Sequence, residues 1–474
     1  MVWGGETRGA TMLKAKEDWS EEIIQNTNLG DVRRNKRLAL ILNTLLFLHQ
    51  GFVNHTFKKW SEAKATYRWL NNQNITNEHL LEASSASCLQ HPSNLIIVPL
   101  DASSLNIKDT HGFKNLGHLG SSRSVQRGYQ VISALAYSPQ GEALGLMSQL
   151  YWKRKKNIKS KSHYDLQKKR QRPYEEKETK YISQIALHCQ SFQEKYAPHK
   201  KLWFQHDRGG DGHDLLKVIS KSQHYWTLRA SQDRNFKENH LLKLFSSLKF
   251  LGHSFDCILK LPRCGSHSAM KLYVNVEYRK VDVKINSYKN KNHEFVSLFA
   301  IQVRCLQNPS IQWKLLTNYP VQSIQDVLEV IKNYKIRWKV EEFYRNWKTT
   351  CHVERTQLHR EKPIQLWCIL NAMVAMRIEK LKELSRQEEE MLAEQEFSKE
   401  EIQAILLLRK PKYDSSKPIT LRQAVYWVAE LGGYRGPKSS GGPPGSVVIG
   451  RGLEYITPAA QLLEHFTLVP KTSG

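Results

Sequence analysis

The sequence predicts a mixed α/β protein whose sheet-bearing centre is flanked by helical regions. Three observations carry that prediction. Residues 18–85 read as helical, with apolar residues recurring at helical spacing. From about residue 94, three short apolar runs follow one another and then alternate with helical segments, the pattern of a mixed sheet surrounded by helices. From about residue 323 to about 409 the chain is mostly helical again.

The elements follow in order. LGDVRRNKRLALILNTLLFLHQ sets basic residues ahead of an apolar-periodic run, and FKKWSEAKATYRWLNNQNIT alternates basic and aromatic residues. NLIIVPL (94–100) is a short continuous apolar run that suits a buried strand. GYQVISALAYS (128–138) and EALGLMSQLYW (142–152) are strands joined by the turn signal SPQG. KRKKNIKSKSHYDLQKKRQR (153–172) is strongly basic and reads either as a DNA-contacting segment or as a solvated loop. Residues 178–197 read as a helix, KLWFQ (201–205) as a strand, 214–222 as a helix and YWTLRAS (225–231) as a strand. From about 240 to 318 strand texture dominates, which marks a β-rich insertion or subdomain. The run RIEKLKELSRQEEEMLAEQEF (377–397) reads as a long, exposed helix laced with salt bridges. KSSGGPPGS (438–446) reads as a flexible loop before a short apolar segment, AAQLLEHFTLV.

Composition bounds the partners. The 474 residues leave room for roughly two to four domains. Lys+Arg number 71 against 45 Asp+Glu, a formal charge of +26. Such a balance calls for a polyanion, nucleic acid first. Arg33, Arg34, Lys36, Arg37, Lys58, Lys59, Lys64 and Arg68, interleaved with Trp60, Tyr67 and Trp69, suit a small DNA-reading helical domain; a helical hairpin with a solvated basic face has the same texture. No basic amphipathic membrane helix or lipid anchor is evident, and LALILNTLLFL is too short to span a bilayer. The N-terminus has no signal-peptide apolar region, and Met12 offers an alternative start. Seven scattered cysteines without a CxxC pair suit a reducing compartment. His253, Cys257, Cys264 and His267 fit no standard zinc-finger spacing.

Three carboxylates draw attention. Asp101 directly follows NLIIVPL, and Asp207 follows KLWFQ within HDRGGD. Acidic residues leaving neighbouring strands face the rim where ligands bind in open α/β sheets, and together they can share Mg2+. Each alone also suits a turn or cap. A third carboxylate would allow two metals roughly 3.5–4 Å apart, the arrangement that clamps both oxygens of a phosphoryl transfer. In NYKIRWKVEEFYRNWK (333–348), taken as one helix, Arg337, Glu341 and Lys348 fall at about 300°, 340° and 320° from Tyr334. A phenol, a guanidinium, a carboxylate and an ammonium then share one face, while Glu342 points about 80° away. Pairing at i,i+4 on a solvated face is the plainer reading of the same spacing.

These residues also carry a family resemblance. Tyr334, Arg337, Glu341 and Lys348 match the Tyr-(2)-Arg-(3)-Glu-(6)-Lys signature of bacterial cut-and-paste transposases of the insertion-sequence-four group, typified by the transposon-five transposase. The resemblance runs along nearly the whole chain, through DWSEEI…LGDVRR, VPLDASSL, HDRGGD, IQWKLLTNYPV and LGGYRG…GGPPGS…GRGLEYI. Gly209 stands where the second motif usually has Glu, Ala102 where the first usually has Thr, and the closing motif lacks its usual Trp.

The resemblance implies a ribonuclease H-like catalytic core over 86–375, with the β-rich insertion at about 235–315. It implies an N-terminal helical DNA-end-binding domain over 1–85 and a C-terminal helical dimerisation region over 376–474. Asp101, Asp207 and Glu341 would be the catalytic, metal-binding triad, holding two Mg2+ ions for which Mn2+ substitutes. Arg229, Tyr334, Arg337 and Lys348 would contact DNA near the cleaved end, and Trp313 would stack on a base flipped out of a hairpin. The partners implied are terminal inverted repeats, target DNA and a second copy of the chain in a homodimer, with no membrane and a cytoplasmic, nucleoid-associated location. The alternative is a catalytically silent transposase that acts as a DNA-binding regulator or inhibitor.

Overall fold

In a computed structural model of the full chain, the described residues are 19–49, 51–109, 112–120, 124–155, 172–237, 243–261, 270–286, 293–387 and 390–468. Met12, most of the basic run at 153–172, and Cys264 and His267 lie outside them.

Five helices open the chain: α1 Trp19–Gln25, α2 Val32–Phe47, α3 Val53–Thr56, α4 Trp60–Leu70 and α5 Asn77–Leu89. Asp31 caps α2 by accepting from the Arg33 N–H. The apolar stripe of α2 buries Leu38, Ile41, Leu42 and Leu45 fully, while Arg33 and Lys36 face solvent.

The strands are β1 Leu95–Asn106, β2 Gly117–His118, β3 Arg127–Tyr137, β4 Ala143–Trp152, β5 Lys201–His206, β6 Tyr225–Arg229, β7 His253–Leu261, β8 Met270–Asn286, β9 His293–Cys305 and β10 Gln312–Thr317. One sheet takes them all, in the order β2-β3-β1-β5-β6-β10-β9-β8-β7, with β4 also on β3. The β1–β5 and β5–β6 pairs are parallel and the rest antiparallel. Helices α6 Lys180–Tyr196 and α7 His213–Lys221 make the crossovers that parallel pairing requires. The stretch β4-β3-β1-β5-β6 is the expected ribonuclease H-like core. The β-rich block, preceded by α8 Leu244–Leu251, does not form a sheet of its own: it continues the core sheet through β10, which pairs with β6 on one side and β9 on the other.

The remaining helices are α9 Ile324–Ile336, α10 Lys339–Thr349, α11 Glu361–Leu384, α12 Lys399–Arg409, α13 Leu421–Leu431, α14 Pro437–Ser440 and α15 Ser446–Leu468. A reciprocal capping box of Ser323 and Asp326 starts α9.

Four expectations are corrected here. The run at 377–397 is not an exposed helix. It begins as the last third of α11, with Arg377, Glu379 and Lys382 buried, and the helix stops at Leu384. Its charges satisfy one another and neighbouring helices, and spacing alone cannot distinguish a buried network from a solvated one. The segment 438–446 is partly helical, in α14 and at the start of α15, and AAQLLEHFTLV lies largely within α15. NLIIVPL is only the first half of β1, which runs on to Asn106 because Asp101–Asn106 pair with β3. Finally, 333–348 is not one regular helix.

Candidate active site

The two aspartates are placed by strand register. On the parallel β1–β5 ladder the last pair is Pro99↔Gln205. Proline has no N–H to extend it. Two residues beyond that pair stand Asp101, still within β1, and Asp207, just past the end of β5, close enough for the charge of Asp207 to act on the Asp101 carboxyl. The register of β5 with β6 pairs Gln205 with Thr227, which puts Arg229 in the same row. Leu315 pairs with Arg229, and Trp313 stands two residues before Leu315 on the antiparallel β10.

The loop after β5 is tightly fixed. Asp207 Oδ1 accepts the Gly209 N–H at 2.8 Å and lies 3.0 Å from His206 Nδ1. A Cβ at Gly209 would sit 3.0 Å from the same oxygen, so a larger residue there requires the Asp207 carboxylate to shift slightly. The second aspartate of HDRGGD has a different task. Asp211 Oδ2 accepts from the Ser231 N–H (2.6 Å), the Ser231 hydroxyl (2.9 Å) and the Gln232 N–H (3.2 Å), and Oδ1 lies 2.6 Å from Arg234 Nη1. This buried carboxylate ties the loop after β5 to the segment after β6, aligning Asp207 with Arg229.

The third carboxylate comes from α10. Between α9 and α10 the helical path continues through a tightened turn, with Arg337 N bonded to Tyr334 O, Val340 N to Arg337 O and Glu341 N to Trp338 O. These i→i+3 bonds mark a 3-10 step. It coincides with Arg337 being drawn inward to 7% exposure. Its Nη2 lies 2.7 Å from Glu341 Oε1 and its Nη1 3.7 Å from Asp101 Oδ2. Tyr344, missed by the sequence reading, donates its hydroxyl to the Asp101 carbonyl at 2.8 Å and fastens α10 to β1.

The predicted site residues divide into two groups. Asp101, Asp207, Glu341, Arg229, Tyr334, Arg337 and Trp313 converge on this rim. Tyr334 donates to the His206 carbonyl at 3.4 Å, and its ring meets Trp313 edge-on at 5.6 Å. Arg229 donates to the Gln312 carbonyl at 2.8 Å. Lys348 is turned onto β1, bonded to Ser103 Oγ (2.8 Å) and Ser104 O (2.7 Å). Arg33, Arg34 and Arg37 belong to α2, which packs on α4, α11 and α15. The Arg33 side chain is exposed and pairs with Asp31, whereas Arg34 donates to the Leu29 carbonyl and is tied into the fold.

Electrostatics separate the two aspartates. Burial pushes the Asp101 carboxyl above its usual range, and neighbouring Asp207 adds to the rise. Burial also opposes the Asp207 charge, but the His206 ring and the Gly209 N–H hold it down at about 2. Burial raises the Tyr334 phenol to about 12, so it stays a neutral donor. Against burial, Tyr334, Glu341 and Asp101 raise the Arg337 pKa. Burial lowers Lys348 and Arg229.

The donor set suits a hard divalent cation, since carboxylate oxygens with water fill a Mg2+ shell. One row behind Asp207, Gln205 is fully buried, and neither polar atom of its amide has a protein partner. Such a group fits beside the hydration shell of an ion. A glutamine closing the apolar strand KLWFQ was the available signal. The oxygens of Asp101, Asp207 and Glu341 do not all lie within 4.8 Å of one another. Among the described residues that spacing is met by Glu342, Glu379 and Glu383 instead. At the rim, the Arg337 guanidinium lies between Asp101 and Glu341.

A ribonuclease H-like sheet with carboxylates at one rim, beside a basic helical region, defines a class of nucleic-acid enzymes. Residues 16–75 match the family model described as Transposase DNA-binding, and residues 178–377 match Transposase DDE domain. Each match covers less than half of the chain, and both support a DDE transposase. A solved structure of the piggyBac transposase synaptic complex with hairpin DNA aligns at 9% identity over 96% of this chain and 80% of that chain, with a TM-score of 0.34, too low to carry a structural argument. Among the described residues no helix is long and apolar enough to cross a membrane.

Proposed function

We propose that the chain is a cut-and-paste transposase of the insertion-sequence-four group, acting on its own terminal inverted repeats and on target DNA. The observation that supports this most is that Asp101 and Asp207 both lie two residues beyond the last pair of the β1–β5 ladder, with Glu341 of α10 joined to Asp101 through Arg337. These three carboxylates would hold two Mg2+ ions, or Mn2+ in their place. Bound there, the metal supplies charge neutralisation and an activated oxygen nucleophile for in-line phosphoryl transfer.

The chain's own residues position and neutralise the DNA. Arg337 and Arg229 present guanidiniums at the rim, suited to phosphate oxygens. Tyr334 offers a neutral hydroxyl beside them. Trp313 presents a half-buried ring on which an unstacked base can rest. Lys348 holds α10 to β1 and reaches DNA by leaving Ser103 and Ser104. The sequence of steps is nicking, hairpin formation, hairpin resolution and strand transfer. Residues 1–85 bind the ends, 86–375 cut, and 376–474 join two copies, as synapsis of two ends requires. The location is the bacterial nucleoid.

A second reading, a silent DNA-binding regulator, draws on Arg337 already neutralising Asp101 and Glu341. Labelled duplexes carrying the repeats that flank the reading frame separate the two. Wild type with Mg2+ should nick them and form hairpins, whereas Glu341→Gln should bind them equally and cut nothing. Binding without cleavage by both proteins would make the chain a regulator.

A further inference from the structure

On the side of α10 away from Asp101, Glu342 enters a cluster of buried charge. Its Oε2 lies 2.9 Å from Lys382 Nζ on α11. The same ammonium pairs with Glu379 and lies 3.3 Å from Glu383 Oε1. Lys339, at the start of α10, reaches Glu383 Oε2 at 2.5 Å and the Gly141 carbonyl at 2.9 Å. Ser446, the first residue of α15, donates to Glu379 Oε1 at 2.6 Å. The Lys382 side chain is 4% exposed and that of Glu379 2%. Glu342, Glu379 and Glu383 have the spacing of a metal site, but an ammonium already sits among them. The protein's own cation closes the cluster.

Buried ion pairs are poor sources of net stability, because desolvation offsets their attraction. What this one supplies is direction. Glu341 and Glu342 are adjacent, about 100° apart around α10. Whatever fixes the azimuth of Glu342 therefore fixes that of Glu341. The tightened turn at 337–338 changes the winding between α9 and α10, and Tyr344 and Lys348 hold α10 to β1; Glu342 adds the restraint from α11.

We propose that Lys382, acting through Glu342, is a positioning residue that sets the rotation of α10 and so aims Glu341 at the rim carrying Asp101 and Asp207. This rests on reading Glu341 as a metal-holding carboxylate.

The test measures Mn2+ affinity by the electron paramagnetic resonance of the free ion, using the full chain bound to a duplex of its flanking repeats. Glu342→Gln, altering a side chain that is 23% exposed, should bind the duplex as wild type does and weaken Mn2+ about 10–100-fold, the range for residues supporting metal ligands. Lys382→Arg, which keeps the cation among the three carboxylates, should keep wild-type affinity. Unchanged Mn2+ affinity in Glu342→Gln, or a loss of it in Lys382→Arg, overturns the proposal. Nicking by wild type is scored in parallel. A wild type that binds Mn2+ and leaves DNA intact removes the transposase reading but leaves the positioning comparison readable.

Discussion

Replacing Arg337 with Met should destabilise the metal-free protein and make it respond more strongly to Mg2+. The change keeps most of the side-chain volume and removes a guanidinium 2.7 Å from Glu341 and 3.7 Å from Asp101. Removing one partner of a fully buried ion pair costs about 3–5 kcal/mol. The Glu341 side chain keeps 38% exposure, so water screens part of the loss, leaving about 2 kcal/mol. Unfolding entropy near 2.1 cal/mol/K per residue, summed over this chain, turns that into a Tm drop of about 2 °C. Mg2+ should recover more than it gives to wild type, because no guanidinium competes for the carboxylates and a ligand stabilises in proportion to its affinity. Scanning calorimetry in EDTA and in Mg2+ reads both quantities. An unchanged Tm in EDTA, or an equal or smaller Mg2+ gain than wild type shows, would refute the idea that Arg337 acts as the resting counter-cation.

Other outcomes follow from the same geometry. Trp313→Ala should weaken binding of a hairpin-ended duplex by about 1–3 kcal/mol and leave blunt-end binding unchanged, as gel-shift titration would show. Arg33→Ala should lower the slope of log affinity against log salt by about 1 if Arg33 meets a phosphate; an unchanged slope places it off the DNA. Burial opposes the charge on Glu383, but Lys339 and Lys382 hold its pKa at about 2. The folded value lies below the unfolded one, so its stabilisation is present above pH 4.5 and is lost as pH falls from there to about 2. Glu383→Gln should flatten that limb of the Tm–pH profile.

The sequence disclosed the site's chemistry better than its supports. Asp101 and Asp207 were visible because each follows an apolar run. Their common row was not, since strand register is a non-local property. Glu341 stood out from Glu342 by helical spacing, although the chain tightens at 337–338. Where Arg337 lies was not readable either: charge spacing does not say whether a guanidinium meets solvent, phosphate or a carboxylate two elements away. The same limit hid the burial of Arg377, Glu379 and Lys382. The β-rich block was recognised by texture, but its fusion with the core sheet depends on β10 pairing with both β6 and β9. Asp211 was hidden within its own motif, where a clamp and a ligand look alike.

That shared strand makes the sheet a gauge. Three inter-strand steps lead from β1 through β5 and β6 to β10, about 14 Å at the usual strand spacing. Backbone ladders on both edges of β10 fix the graduation at which Trp313 stands relative to the acidic pair. Hairpins beyond β9 can lengthen or shorten without moving that mark. Any substrate gripped at both places must therefore fit a span set by the backbone alone, whatever its base sequence.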